Sequence, residues 1–263
     1  MRQVINAKGV HYRKLNANIR DVLGQALGTD KKVEEKIELI LENVLGQRYI
    51  GDGLKGGHKI EIKGVPGNDL AVFMDGPTIE VFENGQDGIG NTMNAGKVIV
   101  HGDAGDIIGY SMRGGEIYIE KNVGFRCGIH MKSYQEKIPV IVIGGSAGNF
   151  LGEYMAGGII ILLGLYSQDL SHFPYEGTKH LVGDYIGTGM HGGTLYIRGD
   201  VASYKFGKEV KEMPINDIDT NILNKYLNNY CQYFSADRKS INIKDFIKLI
   251  PFSHRPYGKL YTY

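Results

Sequence analysis

Three stretches of this chain combine residue types that do chemistry in other proteins. Arg126, Cys127 and His130 set a guanidinium, a thiol and an imidazole close together in sequence. A thiolate beside cations is a competent nucleophile. The alternative reading of the same residues is a chain corner next to an insertion. Gly51-Asp-Gly-Leu-Lys-Gly56 and Gly187-Thr-Gly-Met-His-Gly192 match the Gly-x-Gly-x-x-Gly spacing that cradles a pyrophosphate. That reading requires a strand before the glycines and a helix after them. Here the glycines precede alternating β-type segments, so they read as structural corners. No Gly-x-Ser-x-Gly elbow or P-loop is present, and the scattered acids form no evident catalytic pair.

Metal chemistry fares no better. The two cysteines, Cys127 and Cys231, are far apart, without a Cys-x-x-Cys pair. A zinc ribbon or iron–sulfur cluster built from this chain alone is therefore not expected. His101, His130 and His191 occupy different phases of the repeat described next, so they are not expected to converge on one ion. The sequence assigns no catalytic, cofactor-binding or metal-binding residue.

The glycines that frame these stretches recur with a period. Gly88-Ile-Gly-Asn-Thr-Met-Asn-Ala-Gly-Lys-Val-Ile-Val-His-Gly102, Ile107-Ile-Gly-Tyr-Ser-Met-Arg-Gly-Gly-Glu-Ile-Tyr-Ile-Glu120 and Tyr185-Ile-Gly-Thr-Gly-Met-His-Gly-Gly-Thr-Leu-Tyr-Ile-Arg-Gly199 share one plan. Each has Gly, then Met three residues on, then a variable residue, a small residue, Gly and a short alternating strand. A period of roughly 19–20 residues marks a solenoid, in which one coil cannot bury its apolar face alone. Gly totals 38 of 263 residues, about twice the usual ~7% share. Ile60 and Ile62, Val98 and Val100, Ile117 and Ile119, Ile160 and Leu162, and Leu195 and Ile197 alternate, so each pair faces one way. These pairs predict an inner stack. Glu61, Lys97, Glu116, Glu120 and Arg198 are expected to point to solvent. Met93, Met112, Met155 and Met190 are expected inside the corner before each strand. The expected fold is an all-β solenoid: a right-handed parallel β-helix with one strand per coil, about seven coils and helical caps at both ends.

The chain divides into an N-terminal cap (residues 1–45), a β-helix (46–200) and a helical C-terminal cap with a tail (201–263). In the first, Leu15, Ile19, Val22, Leu23 and Ala26 recur at helical spacing, with Gly28 as a candidate stop. Ile37-Glu-Leu-Ile-Leu-Glu-Asn43 reads as a strand, with helix as its rival. In the last, Ile218, Ile222, Leu223, Tyr226, Leu227, Tyr230, Cys231 and Phe234 form a helical stripe that Ile243, Phe246, Ile247 and Ile250 extend. Open solenoid ends invite edge pairing, which caps prevent. Two insertions break the array, Lys132–Lys137 and Leu165–His180. Insertions in solenoids gather on one face and often bind partners. Tyr166, His172, Phe173, Tyr175 and His180, with Arg126 and His130 of the irregular fifth coil, are the partner-contact candidates.

Net charge is +1, from 30 basic and 29 acidic residues, which gives no footprint for nucleic acid or an anionic membrane. No apolar run reaches the ~18–20 residues of a membrane span, and no signal peptide is evident. A cytoplasmic protein is expected.

The repeat resembles the GXGXG domain, the C-terminal domain of the large subunit of glutamate synthase, in its free-standing form. The resemblance rests on Gln86-Asp-Gly-Ile-Gly-Asn-Thr-Met-Asn-Ala-Gly-Lys-Val-Ile-Val-His-Gly-Asp103, Gly145-Ser-Ala-Gly-Asn-Phe-Leu-Gly-Glu-Tyr-Met-Ala-Gly-Gly158 and Gly183-Asp-Tyr-Ile-Gly-Thr-Gly-Met-His-Gly-Gly193. The C subunit of formylmethanofuran dehydrogenase shares the repeat. The resemblance implies a right-handed β-helix with no catalytic group of its own. It further implies a glutaminase-type subunit and an FMN/iron–sulfur synthase subunit as partners, with FMN and the cluster in those partners and no cofactor here. Arg2, not Cys, follows the initiator Met, so no glutaminase nucleophile carries over. Three readings compete with a glutamate-synthase-like assembly subunit. They are the C subunit of a formylmethanofuran-dehydrogenase-type complex, an independent enzyme with zinc at an oligomer interface, and a homo-oligomeric scaffold.

Overall fold

The computed structural model describes residues 2–25, 36–166 and 181–253. The strands β1 (Arg2–Asn6), β2 (Glu38–Leu45), β3 (Lys59–Val65), β4 (Asp75–Val81), β5 (Ala95–Val100), β6 (Glu116–Ile119), β7 (Val140–Ile143), β8 (Ala156–Leu162) and β9 (Gly192–Arg198) lie side by side in chain order. Each is parallel to the next. β10 (Val210–Met213) and β11 (Phe246–Pro251) finish the sheet, with β11 antiparallel to both β9 and β10. The result is an all-β solenoid of the right-handed type, with six turns joining β3 to β9. Only two α-helices accompany it among the described residues, α1 (Tyr12–Val22) and α2 (Asp217–Phe234).

Register follows directly from the period. Ile60, Ile79, Val98 and Ile117 are successive cross-strand partners, and all four are fully buried. A second inner column runs Ile62, Val81, Val100 and Ile119. Burying each such side chain contributes about 1.5–3 kcal/mol, and no single coil could collect that term alone. A methionine column lies beside them. Met93, Met112, Met155 and Met190 are buried as expected, and Met74 and Met131 complete the series. This column explains the Gly-Gly pairs. A Cβ on Gly193 would lie 2.5 Å from Met155 Cε of the preceding coil, and one on Gly158 would lie 2.9 Å from Met131 Cε.

The ends and the outer face differ from expectation. Residues 1–45, set apart as a cap, supply β1 and β2 to the same sheet, and Leu15, Ile19 and Leu23 of the α1 region join the inner core. The segment read as a strand at Ile37–Asn43 is one, β2, which starts at Glu38. The first helix ends at Val22, with Gly24 at φ +65° beyond it, not at Gly28, which lies outside the described residues. α2 forms over the stripe read from the sequence. Asn216 caps it: its side chain accepts the Asp219 N–H while Asp219 accepts the Asn216 N–H, a complete capping box. The helix does not sit on the end of the stack. Leu223, Leu227 and Tyr230 pack against Tyr118, Val142, Ile161 and Tyr196, the outward residues of β6 to β9. Phe246–Ile250, expected as helix, is strand β11. Its residues serve two cores, Leu249 inside the coil and Phe246 under α2. Lys97, Glu116 and Arg198 do face outward, but α2 and the segment after it partly cover them. The Lys97 ammonium donates to Tyr233, and Arg198 donates to the Leu163 and Ser240 carbonyls.

Candidate functional site

Among the described residues the inner wall is built almost wholly of Ile, Leu, Val and Met side chains. Exposed functional side chains gather instead at the corner that precedes each methionine. There the backbone repeats a left-handed, any, left-handed, any, left-handed pattern. Ile107, Gly109 and Ser111 have φ of 53°, 69° and 52°, and Arg126, Gly128 and His130 have 57°, 75° and 55°. The same pattern holds at Phe150, Gly152 and Tyr154 and at Tyr185, Gly187 and Gly189. The middle position carries the steric demand. A Cβ on Gly109 would lie 2.5 Å from Ile141 Cδ1 of a later coil. The residue between the first two left-handed positions turns inward: Ile89, Ile108, Cys127, Leu151 and Ile186 are all buried.

That column settles Cys127. It stands where other coils place Ile or Leu, 1% exposed, and burial pushes its thiol well above the ordinary range. A desolvated thiol is a poor nucleophile. The neighbours on either side point the other way. Arg126 pairs with the Glu153 carboxylate of the next coil. Its guanidinium also sits 4.6 Å from the centroid of Phe150, which stacks on Tyr185 at 4.8 Å. His130 stacks on Tyr154 at 5.3 Å and meets Tyr110 edge-on at 5.9 Å. Glu153 is buried, whereas Tyr185, Tyr154 and Tyr110 are 55%, 37% and 38% exposed. Rings at these separations attract one another, and a guanidinium over a ring adds to that. The corner is thus a rigid ladder of aromatic and arginine side chains open to solvent on one side.

Of the seven contact candidates, Arg126 and His130 lie together on this ladder. Tyr166 is half-buried elsewhere, beside Tyr230 of α2 and Glu120. His172, Phe173, Tyr175 and His180 lie outside the described residues. Sequence reading missed Phe150, Glu153, Tyr154 and Tyr185. The signal was present: they hold the repeat phases of Arg126, Ile129 and His130, and only the two insertions hide the alignment.

Leu181, Val182, Asp200, Val201, Ala202, Tyr204 and Lys205 surround an open depression of about 250 Å³. Its Lys205 ammonium donates to the Val182 carbonyl at 2.8 Å and sits 3.7 Å from Asp184. Among the described residues, no group of three His, Cys, Asp or Glu side chains could hold a metal ion. No helix there is long and apolar enough to cross a membrane.

The periodic Gly-x-Gly corners coincide with a sequence-family model, that of the GXGXG motif, which matches residues 13–252. The chain belongs to the GXGXG motif family. This GXGXG protein is 44% identical over 266 residues to an uncharacterised protein of Methanocaldococcus jannaschii, covering 98% of this chain and 96% of the relative. Its fold is similar to that of a chain in the crystal structure of the formyltransferase/hydrolase complex from Methylorubrum extorquens in complex with methylofuran. That likeness has a TM-score of 0.57 at 20% identity and covers 90% of this chain and 86% of the other.

Proposed function

We propose that this GXGXG chain is a non-catalytic assembly subunit of a multi-subunit complex, whose solenoid holds other subunits in fixed relation. The observation that carries the reading is the contrast between its two surfaces. The interior is filled with apolar columns, and one solvent-facing corner carries a run of stacked aromatic side chains with an arginine, residue types that proteins use to bind one another. In the first reading the complex is glutamate-synthase-like, carrying out glutamine-dependent reductive amination of 2-oxoglutarate. Its partners are then a glutaminase-type subunit and a subunit with FMN and an iron–sulfur cluster. This reading places both groups in the partners, and for the cluster it is supported by the cysteines of this chain. Cys127 and Cys231 are buried in separate cores, one inside the coil and one under α2.

A second reading is favoured by the structural likeness to a chain of the formyltransferase/hydrolase complex. In it the chain is the C subunit of a formylmethanofuran-dehydrogenase-type assembly. Purification from native cells under mild salt separates the two. A co-purifying flavoprotein and glutaminase support the first, and a molybdenum- or tungsten-containing partner supports the second. Recovery of the chain with no other subunit at any salt concentration sinks both.

A further inference from the structure

We infer that one buried water molecule is bound between α1 and the first coil, where it accepts the Gly51 N–H and donates to Asn16 Oδ1. The corner of each later coil bonds to the coil before it through four backbone groups. In the second coil these are the Asn68 carbonyl, the Ala71 N–H, the Val72 carbonyl and the Asp75 N–H. Their partners are the Tyr49 N–H, the Ile50 carbonyl, the Gly53 N–H and the Leu54 carbonyl. The same four contacts recur up the stack. The one made by Ala71 becomes a glycine contact: Gly90 donates to Leu70, Gly109 to Ile89, Gly128 to Ile108, Gly152 to Cys127 and Gly187 to Leu151, each at 2.8 Å.

The first coil has no coil before it, and α1 with the residues just after it stands in that place. The matching groups are the Arg48 carbonyl, the Gly51 N–H, the Asp52 carbonyl and the Lys55 N–H. Asn16 Nδ2 donates to the Arg48 carbonyl at 2.9 Å, the Arg20 guanidinium donates to the Asp52 carbonyl, and the Lys55 N–H donates to Gln25 Oε1 at 2.8 Å. Side chains thus replace three of the four missing contacts. For the fourth, the Gly51 N–H, no carbonyl or side chain does so among the described residues. An acceptor without a donor lies beside it. Asn16 Oδ1 is buried and has no protein partner. The amide cannot turn over to relieve this, because its Nδ2 is committed to Arg48 and the reversed amide would set oxygen against oxygen. Asn16 and Gly51 line one pocket of about 10 Å³, with Ile19 and Leu54 on its apolar side. That is about the room a single water needs. Water also suits both groups at once. A cation cannot accept the Gly51 N–H, and an anion cannot donate to Asn16 Oδ1. With the water bound, the four corner groups of the first coil are all answered. The end of the stack then offers no free donor or acceptor there to a coil of another molecule.

The full-length protein tests this directly. A high-resolution crystal structure should show one density peak within about 2.7–3.2 Å of both Asn16 Oδ1 and Gly51 N. In solution the Gly51 amide proton should give a nuclear Overhauser cross-peak to water with the sign of a long-lived contact. Asn16→Leu removes the acceptor and should abolish that cross-peak and lower the melting temperature. Asn16→Asp keeps one oxygen toward the pocket and sets the other against the Arg48 carbonyl. It should also lower the melting temperature, yet keep the cross-peak. If Asn16 acts only through its bond to Arg48, the cross-peak persists in both variants, and that result overturns the inference. So does a wild-type site with no density, a peak that refines as an ion, or a Gly51 amide without the water contact. Should Asn16→Leu fail to fold, the wild-type density and cross-peak decide by themselves.

Discussion

Gly109 shows how one residue couples distant parts of the sequence. Its φ of +69° already disfavours a side chain, and the Cδ1 of Ile141 occupies the space a Cβ would need. Gly109→Ala should therefore cost about 2–4 kcal/mol, from the left-handed penalty plus overpacking. Ile141→Val alone should cost about 0.5–1.5 kcal/mol. The double variant should lose less than the sum, because shortening Ile141 vacates the clash. Urea unfolding of the four proteins checks this, and full additivity would remove the steric account. The corner at Asp69–Phe73 offers a natural parallel. Ala71, at φ 62°, takes the glycine position there, and the coil register sets it opposite Val98, which has no δ-methyl.

His58 supplies a residue-scale prediction in pH. Burial lowers its pKa from 6.5, and its neutral Nδ1 accepts the Ile37 N–H at 3.2 Å. A depressed folded pKa means its contribution is complete above 6.5 and fades as pH falls through the folded value. The melting temperature should fall on acidification below 6.5, with earlier hydrogen exchange at Ile37. His58→Asn, whose Oδ1 accepts the same N–H without titrating, should flatten that response. An identical pH profile in the variant would exclude His58 as its source. Neither His58's partner nor the Ala71–Val98 match could be read from sequence, because both depend on which coils lie level.

At the scale of elements, the strands of the repeat were legible and their covering was not. Alternation placed Ile117 and Ile119 inward, and the structure agrees. The same alternation places Tyr118, Val142, Ile161 and Tyr196 on the outer face, where apolar residues require a cover. The helical stripe of Leu223–Phe234 was legible too, yet nothing local says that it crosses the outer face. That follows from the length of the connection and from β11 turning back to pair with β9. One polar knot fixes the placement. The Tyr196 hydroxyl donates to Asp219 at 2.6 Å, and the Lys248 ammonium sits 2.8 Å from the same carboxylate. Burial alone would push the Asp219 carboxyl up, but Lys248, Tyr196 and the Asn216 N–H together hold it below the ordinary carboxylate value. Asp219→Ala strands the Lys248 ammonium and should cost about 3–5 kcal/mol. Tyr196→Phe loses only a hydrogen bond to a charged group and should cost about 1.5–3 kcal/mol. Because the chain has no Trp, the near-ultraviolet circular dichroism of the tyrosines under α2 reports both. Equal losses in the two variants would show that the ion pair adds nothing.

The whole molecule is a one-dimensional stack, and that shape makes a claim about how damage spreads. Each strand pairs only with its neighbours in the sheet order, so stability is close to a sum of coil terms and nearest-neighbour terms. This much was legible in the glycine period, since strand order equals chain order from β1 to β9. Ile117 and Ile141 are cross-strand partners in adjacent coils, whereas Ile60 and Leu195 lie near opposite ends of the same inner column. Each change to Ala should cost about 2–5 kcal/mol. The adjacent pair shares one enlarged cavity, so its double variant should depart from additivity by about 0.5–3 kcal/mol. The distant pair should add within about 0.5 kcal/mol. Native-state hydrogen exchange gives the spatial counterpart: Ile60→Ala should loosen β2 to β4 and leave β8 and β9 protected. If Ile60→Ala lowers protection equally across all coils, the stack unfolds as one block. A partner docked at one end would then stabilise every coil rather than only those it touches.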